Sequence, residues 1–190
     1  IETARDALAA GPLATDERED LAHALSLVAE RSEALRRFLS RYSELARLPQ
    51  PRRVDCDVTA LLERVAAVQP PGRVRLEAAA GLVVVADPDQ LEQALINLVR
   101  NAVEATPDDE APVRLSASRE RDQLVFEVLD AGTGVANPDN LFVPFFTTKP
   151  GGSGIGLVLA RQVAEGHGGT LSLANRGDRS GCRARLVIPG

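Results

Sequence analysis

The chain has 190 residues, 44% hydrophobic and 26% charged, with a formal net charge of −5. The composition is ordinary for a globular protein, and the length suits one sizeable domain or a domain plus an appendage. The acidic balance argues against general binding to nucleic acid or to anionic membrane, since both need a basic surface.

Aromatic residues make up only 3%, and Trp and Met are absent, so Leu, Val, Ile and Ala must build the core. Cys56 and Cys182 lie far apart in strand-like contexts without metal-ligand spacing, which reads as two reduced core thiols. No apolar run reaches the roughly 18 residues of a membrane span, and the opening residues do not read as a signal peptide. The chain begins at Ile1, inside what reads as the tail of a helix. A fragment is therefore expected, its upstream part missing. The fragment itself is expected to be cytoplasmic, whether or not the parent is anchored to a membrane.

Residues 1–10 are helical in composition, and Gly11 and Pro12 break the pattern. Thr15 or Asp16 suits an N-cap, with acidic residues in the next turn. Leu21, Val28, Leu35 and Tyr42 then recur every seven residues. Leu25, Leu39 and Ala46 form a second seam around Ser32. This heptad-like spacing predicts a helical hairpin that pairs with another copy. Pro49 and Pro51 end it, placing a domain boundary near residue 50.

Beyond the boundary, "VDCDV" alternates as a short strand. "DVTALLERVAAVQ" is helical, with Asp57 as its cap, and "RVRLEA" and "LVVVAD" read as strands. A strong helix follows in "DPDQLEQALINLVRNAVEAT". Asp87 and Pro88 start it, and Leu91, Leu95, Leu98 and Ala102 form its apolar face. "VRLSASRE" and "QLVFEVLD" alternate like a hairpin. After a Gly- and Pro-rich stretch, "GIGLVLARQVAEGHGG" is a helix ending at glycines, and "TLSLANR" and "CRARLVIP" are strands. The order predicts an α+β fold, a two-layer α/β sandwich with the helices on one face.

Three separated stretches fit one task. On the strong helix, Gln93, Asn97 and Asn101 share a stripe. Magnesium bound to a nucleotide takes hard oxygen ligands and few protein groups, and the Asn101 amide could supply one without adding negative charge. An asparagine there is also compatible with an ordinary satisfied polar group. In "VLDAGTGVA" a strand ends at Asp130, whose carboxylate could accept the exocyclic amine of adenine, while Gly132 and Gly134 let a purine approach the main chain. The same pattern occurs in ordinary turns. In "KPGGSGIGLVLA", Gly152, Gly154 and Gly156 precede a helix whose N-terminal N–H groups suit phosphate, with Lys149 as a mobile point charge. Between the last two stretches, Phe142, Phe145 and Phe146 suggest a lid anchored by aromatic burial, or a loop pinned to the core.

In sequence order, "QLEQALINLVRNAVEA", "DAGTG", "LFVPFFTTK" and "GGSGIGL" resemble the N box, first glycine box, F box and second glycine box of the sensor histidine kinases. These kinases belong to the GHKL, or Bergerat-fold, ATP-binding superfamily. The resemblance covers about residues 52–190. It implies a Bergerat ATP-binding fold over residues 51–190, with residues 1–50 the partial dimerisation and phosphotransfer hairpin. It also implies ATP and Mg²⁺ as ligands. Asn101 corresponds to the magnesium-chelating asparagine and Asp130 to the adenine-recognising aspartate, with Gly132 and Gly134 shaping the adenine pocket. Phe142 belongs to the nucleotide site through the F box. Gly152, Ser153, Gly154, Ile155, Gly156 and Leu157 form the lid and its phosphate-side helix. Arg100 and Lys149 stand where the family carries basic residues near the phosphates.

In the hydrolysing relatives of the superfamily, a glutamate four residues before the magnesium asparagine activates water. Asn97 stands there in this chain, and an amide is no general base near neutral pH. Transfer of the γ-phosphoryl group to a side chain is the better reading, and Asn97 joins Arg100 and Lys149 as the expected catalytic group. Glu104 remains a substitute base or a solvated surface residue. No H-box like H-E-x-x-N-P-L is present, and the two histidines, His23 and His167, read as a solvated helix residue and a structural turn residue. The phosphoacceptor is expected upstream, leaving the fragment unable to label itself and either monomeric or weakly associated, although the intact protein would be a homodimer. "FLSRYSELARLPQPRRVD" resembles the nitrogen-regulation-type subgroup, which implies a response regulator of the enhancer-binding class. A nucleotide-binding pseudokinase, another GHKL ATPase and an anti-sigma-type serine kinase are the alternatives.

Overall fold

The structure is a computed structural model that describes residues 20–21, 23–33, 49–78, 81–149 and 152–190. By internal contacts the chain divides into two compact units, Ile1–Ala46 and Arg47–Gly190. In the first, residues 23–33 are helical and His23 is exposed. Leu25 and Val28, one from each predicted seam, are exposed too. The remaining seam positions 35, 39, 42 and 46, the Thr15 or Asp16 cap and the "ARLP" arginine and leucine lie outside the described residues.

The second unit starts with β1 (Val54–Asp57) and α1 (Val58–Ala67). Asp57 caps α1 as the sequence predicts, its side chain accepting from Ala60 N at 3.1 Å. Val58, Leu61, Leu62 and Val65 form the buried stripe of α1 at helical spacing. Then come β2 (Val74–Ala78), β3 (Val83–Ala86) and the 18-residue α2 (Pro88–Ala105). After α2 the chain forms β4 (Val113–Glu120), β5 (Gln123–Leu129), α3 (Gly156–Gly166), β6 (Thr170–Asn175) and β7 (Cys182–Pro189).

Five strands form one sheet in the order β2-β4-β5-β7-β6, and β1 pairs with β3 in a separate two-stranded ribbon. All neighbours are antiparallel except β2 and β4. That parallel pair is allowed because β3 and α2 supply the long crossover that parallel strands need. Strand alternation splits the sheet into two faces. Val113, Leu115 and Ala117 of β4, Leu124, Phe126 and Val128 of β5, and Ala184, Leu186 and Ile188 of β7 point into the core with the buried stripes of α1, α2 and α3. The opposite face carries Arg114, Glu127, Arg183 and Arg185 in cross-strand ion pairs. The expected two-layer sandwich is the observed one.

Both thiols are buried and free. Burial, reinforced by the nearby Asp130 charge, pushes the Cys182 thiol up to about 11, so it stays protonated and inert. Among the described residues no helix is long and apolar enough to cross a membrane.

Candidate functional site

Helix α2 is the spine of the site, and its two ends are fixed by different chemistry. At its start Asp87 accepts from the N–H groups of Asp89 and Gln90 through one oxygen, and from Arg52 N at 2.8 Å through the other. Burial pushes this carboxyl up, but those three backbone donors outweigh it, and the net shift is downward. At its end the Arg73 guanidinium donates to the carbonyls of Val103 and Thr106, at 2.9 and 2.5 Å, satisfying groups a helix terminus leaves open.

His167 binds the end of α3 to the start of α2. It is 3% exposed, its Nδ1 donates to Val163 O at 2.8 Å, and its Nε2 accepts from Asp87 N at 3.0 Å. The neutral tautomer with its proton on Nδ1 satisfies both contacts. Both ring nitrogens are therefore used by the backbone.

Three sequence-distant stretches converge on α2. The turn after β5 lies against its C-terminal end, where a Cβ placed on Gly132 would sit 2.5 Å from Ala105 O. Only glycine allows the turn to come so close. The start of α3 faces the middle of α2, and a Cβ on Gly156 would stand 3.5 Å from the Asn97 side chain. Lys149 reaches the same end of α2, its Nζ 3.3 Å from Asn101 O and 2.8 Å from a Glu104 carboxylate oxygen. The residues predicted from separate motifs thus line one region.

Within it Asp130 is buried, and a single carboxylate oxygen, Oδ1, accepts from both Gly132 N and Cys182 N at 2.9 Å. Oδ2 takes part in neither bond. Gly134, with φ +81°, follows in the same turn, where Asn175 pairs through its amide with both backbone groups of Val135. Of the amide stripe on α2, Gln93 is exposed, Asn97 is 3% exposed and Asn101 is half-buried. The Asn97 Oδ1 accepts from Arg100 Nη2 at 3.1 Å, while its Nδ2 is buried without a partner. A buried orphan donor costs about 1–3 kcal/mol, which a fold retains where something else takes the hydrogen bond. The structure thus brings Asn97 and Arg100 into contact but leaves Arg100 exposed.

The segment joining the two glycine motifs is pinned by its own backbone. Phe145 N donates to Gly154 O at 3.0 Å, both residues having positive φ. Phe142 packs against the core and lies under Arg161 of α3, whose guanidinium carbon is 5.1 Å from the ring centroid. Phe146 does not anchor this segment: it is 47% exposed. Phe145, with its positive φ, lies between the inward Phe142 and the outward Phe146. Gly152 and Ser153 lead into α3, with Ser153 Oγ 3.4 Å from Ile155 N, Ile155 buried and Leu157 packed on the core. Among the described residues no side chain caps α3, which leaves its first N–H groups available at the site.

Sequence reasoning missed four contributors: Glu104 as partner of Lys149, Arg161 over Phe142, and Asn175 and Arg176 behind the Asp130 turn. The last two end "TLSLANR", which reads as a strand, and no local signal ties them to residues forty or more positions earlier.

Residues 86–190 match the family described as histidine kinase-, DNA gyrase B- and HSP90-like ATPase. The chain is 37% identical over 106 residues to the sensor histidine kinase ZraS of Escherichia coli (strain K12), covering 55% of this chain and 22% of ZraS. It is 34% identical over 169 residues to the sensor protein kinase PilS of Pseudomonas aeruginosa, covering 82% of this chain and 32% of PilS. The crystal structure of full-length ShkA in complex with AMPPNP superposes with a TM-score of 0.71 at 25% identity, covering 94% of this chain and 40% of ShkA. The chain therefore spans less than a third of the length of ZraS and PilS.

Proposed function

The chain belongs to the family of histidine kinase-, DNA gyrase B- and HSP90-like ATPases, and from that premise we propose that it is the ATP-binding catalytic region of a sensor histidine kinase. In this reading Arg47–Gly190 binds Mg²⁺-ATP and presents the γ-phosphate to a histidine carried by the dimerising helical hairpin of the intact protein, to which residues 1–50 contribute. A response regulator then takes the phosphoryl group, and the nitrogen-regulation-type resemblance points to the enhancer-binding class.

The observation that carries the proposal is the convergence on α2: the Asp130 turn at Ala105, the start of α3 at Asn97, and Lys149 at Asn101. Adenine would sit beside Asp130, with Oδ2 the acceptor for its exocyclic amine, while Gly132 and Gly134 let the turn that carries Asp130 pack closely on Ala105 and Asn175. The phosphates fit at the uncapped start of α3, with Lys149 and Arg100 as neutralising charges. Catalysis of this class is mostly positioning and charge neutralisation.

Magnesium fits the donors present. Among the described residues there is no cluster of three His, Cys, Asp or Glu that would bind a metal without the nucleotide. A magnesium ion that keeps waters and phosphate oxygens needs only one or two protein oxygens. Asn101, half-buried beside Lys149, would hold it, and the ion would supply charge neutralisation between the phosphates.

The buried Asn97 amide supports transfer over hydrolysis, because it cannot take a proton from water. Glu104, tied to Lys149, is a poor substitute base. Titration with Mg²⁺-ATP followed by mixing with a hairpin carrying the acceptor histidine tests the reading. Saturable binding, slow hydrolysis and labelling of the supplied hairpin are expected. An empty site at millimolar nucleotide overturns it.

A further inference from the structure

The carbonyl of Asp130 is held from behind by the turn between β6 and β7. Arg176 Nη1 donates to Asp130 O at 3.0 Å, and the guanidinium is nearly enclosed, with 5% of its side chain exposed. Its other edge forms a two-point pair with Asp178, Nε to Oδ1 at 3.0 Å and Nη2 to Oδ2 at 2.6 Å. Gly181 closes the same face: its φ is +129°, and a Cβ there would overlap the Asp130 carbonyl. Ser180 Oγ donates to Gly132 O at 2.6 Å. The turn that presents the Asp130 carboxylate is thus tied down at both Asp130 and Gly132.

A two-point guanidinium–carboxylate pair fixes direction as well as distance, which a lysine's single ammonium cannot do. Here it aims the remaining N–H at one backbone carbonyl. Hydrogen bonds from Arg176 hold the Asp178 carboxyl down to about 2, so the pair stays charged across the neutral range.

We infer that Arg176, oriented by Asp178, is a positioning residue that fixes the Asp130 carboxylate for recognition of the amino group of adenine. The inference rests on the proposal that Asp130 reads the base. Arg176 does not touch the nucleotide in this account. It holds the main chain of Asp130 so that Oδ2 faces the pocket while Oδ1 remains bound to Gly132 N and Cys182 N. Loosening it affects discrimination at the base edge and not the grip on the phosphates.

The experiment compares affinities for Mg²⁺-ATP and Mg²⁺-ITP, whose bases differ by an amino group against a carbonyl at one ring position. Wild type, Arg176→Ala, Arg176→Lys, Asp178→Asn and Asp130→Asn are titrated under one buffer, with the thermal midpoint of each recorded. Arg176→Ala is expected to weaken ATP binding by about 10-fold, the size of one hydrogen bond to a charged group. It is expected to leave ITP binding within about twofold, within the scatter of such contributions. Asp178→Asn gives the same collapse of the ratio in smaller measure, from a side chain at the surface, and stands in if Arg176→Ala fails to fold. Arg176→Lys retains part of the preference.

An equal loss for both nucleotides would make Arg176 a stabiliser of the fold alone and overturn the inference, as would an unchanged ratio in Arg176→Ala and Asp178→Asn. Either result leaves the adenine reading intact provided Asp130→Asn abolishes the preference. A wild type that does not distinguish ATP from ITP sinks both.

Discussion

Lys149 and Glu104 form an ion pair, Nζ to Oε2 at 2.8 Å, that ties the segment before α3 to the last turn of α2. The lysine expected to meet phosphate therefore already has a carboxylate partner. Nucleotide must draw it away or share it. The two side chains are 40% and 46% exposed, which puts the pair in the range of about 0–1 kcal/mol. Glu104→Gln is expected to raise Mg²⁺-ATP affinity up to about fivefold at low salt, with the gain fading as salt rises. If Glu104 were instead the base for water, the same change would abolish slow ATP turnover and leave affinity alone. Calorimetry at two salt concentrations, with a phosphate-release assay, separates the two.

Asp130→Asn tests the base pocket directly. The substitution keeps an oxygen for Gly132 N and Cys182 N, so the fold is expected to persist with an unchanged circular dichroism spectrum. Replacing the free carboxylate oxygen by an amide weakens or reverses the contact with an amino group. A hydrogen bond to a charged acceptor is worth about 1.5–3 kcal/mol, which predicts roughly a 10- to 150-fold loss of ATP affinity. A loss under twofold would remove Asp130 from the base pocket.

Much of the fold was legible because its signals are local. Helical spacing gave the apolar stripe of α2, strand alternation gave β4, β5 and β7, and Asp57 and Asp87 marked the helix starts before any tertiary contact is known. Phe146 was misread because composition says only that a loop is aromatic. Which ring turns inward is decided by packing: Phe142 lies on the core and Phe146 is exposed, while the backbones of Phe145 and Gly154 meet at a distance in sequence that composition does not report. The parts of the site that stayed hidden, Glu104 against Lys149 and Arg176 against Asp130, are single long-range contacts made by ordinary surface residue types. Charged residues in a turn or on a helix end read as solvated faces until the fold brings their partners near.

Asn101→Asp changes the charge beside the phosphates and little else in shape. A second carboxylate near Glu104 repels a triphosphate, so affinity for ATP without metal is expected to fall. The same carboxylate attracts magnesium, so the dependence of binding on Mg²⁺ concentration is expected to steepen. Titrations of ATP at several Mg²⁺ concentrations check both signs. A variant whose magnesium dependence matches the wild type would show that Asn101 does not face the metal.

The junction at Asp87 predicts a pH dependence of stability. Its folded-state titration is shifted below the ordinary value of 3.8, the donors from Arg52, Gln90 and Asp89 outweighing the opposing push of burial. For a carboxyl with a lowered folded value, the unfolded chain takes up the proton first as pH falls. The stability contributed by the charge is therefore fully present above about pH 4 and is lost as pH drops through the folded value. Asp87→Asn retains an oxygen that can cap α2 but removes the charge. At pH 7 the variant is expected to be about 1 kcal/mol less stable in urea unfolding, and the gap is expected to close as the pH is lowered from 4 toward 2. Because Asp87 also receives Arg52 N and donates its own N–H to His167, the loss falls on the place where the segment before β1, α2 and α3 meet. A gap of the same size at pH 7 and pH 3 would show that the carboxylate acts there by shape alone, and that its charge contributes nothing to holding the three segments together.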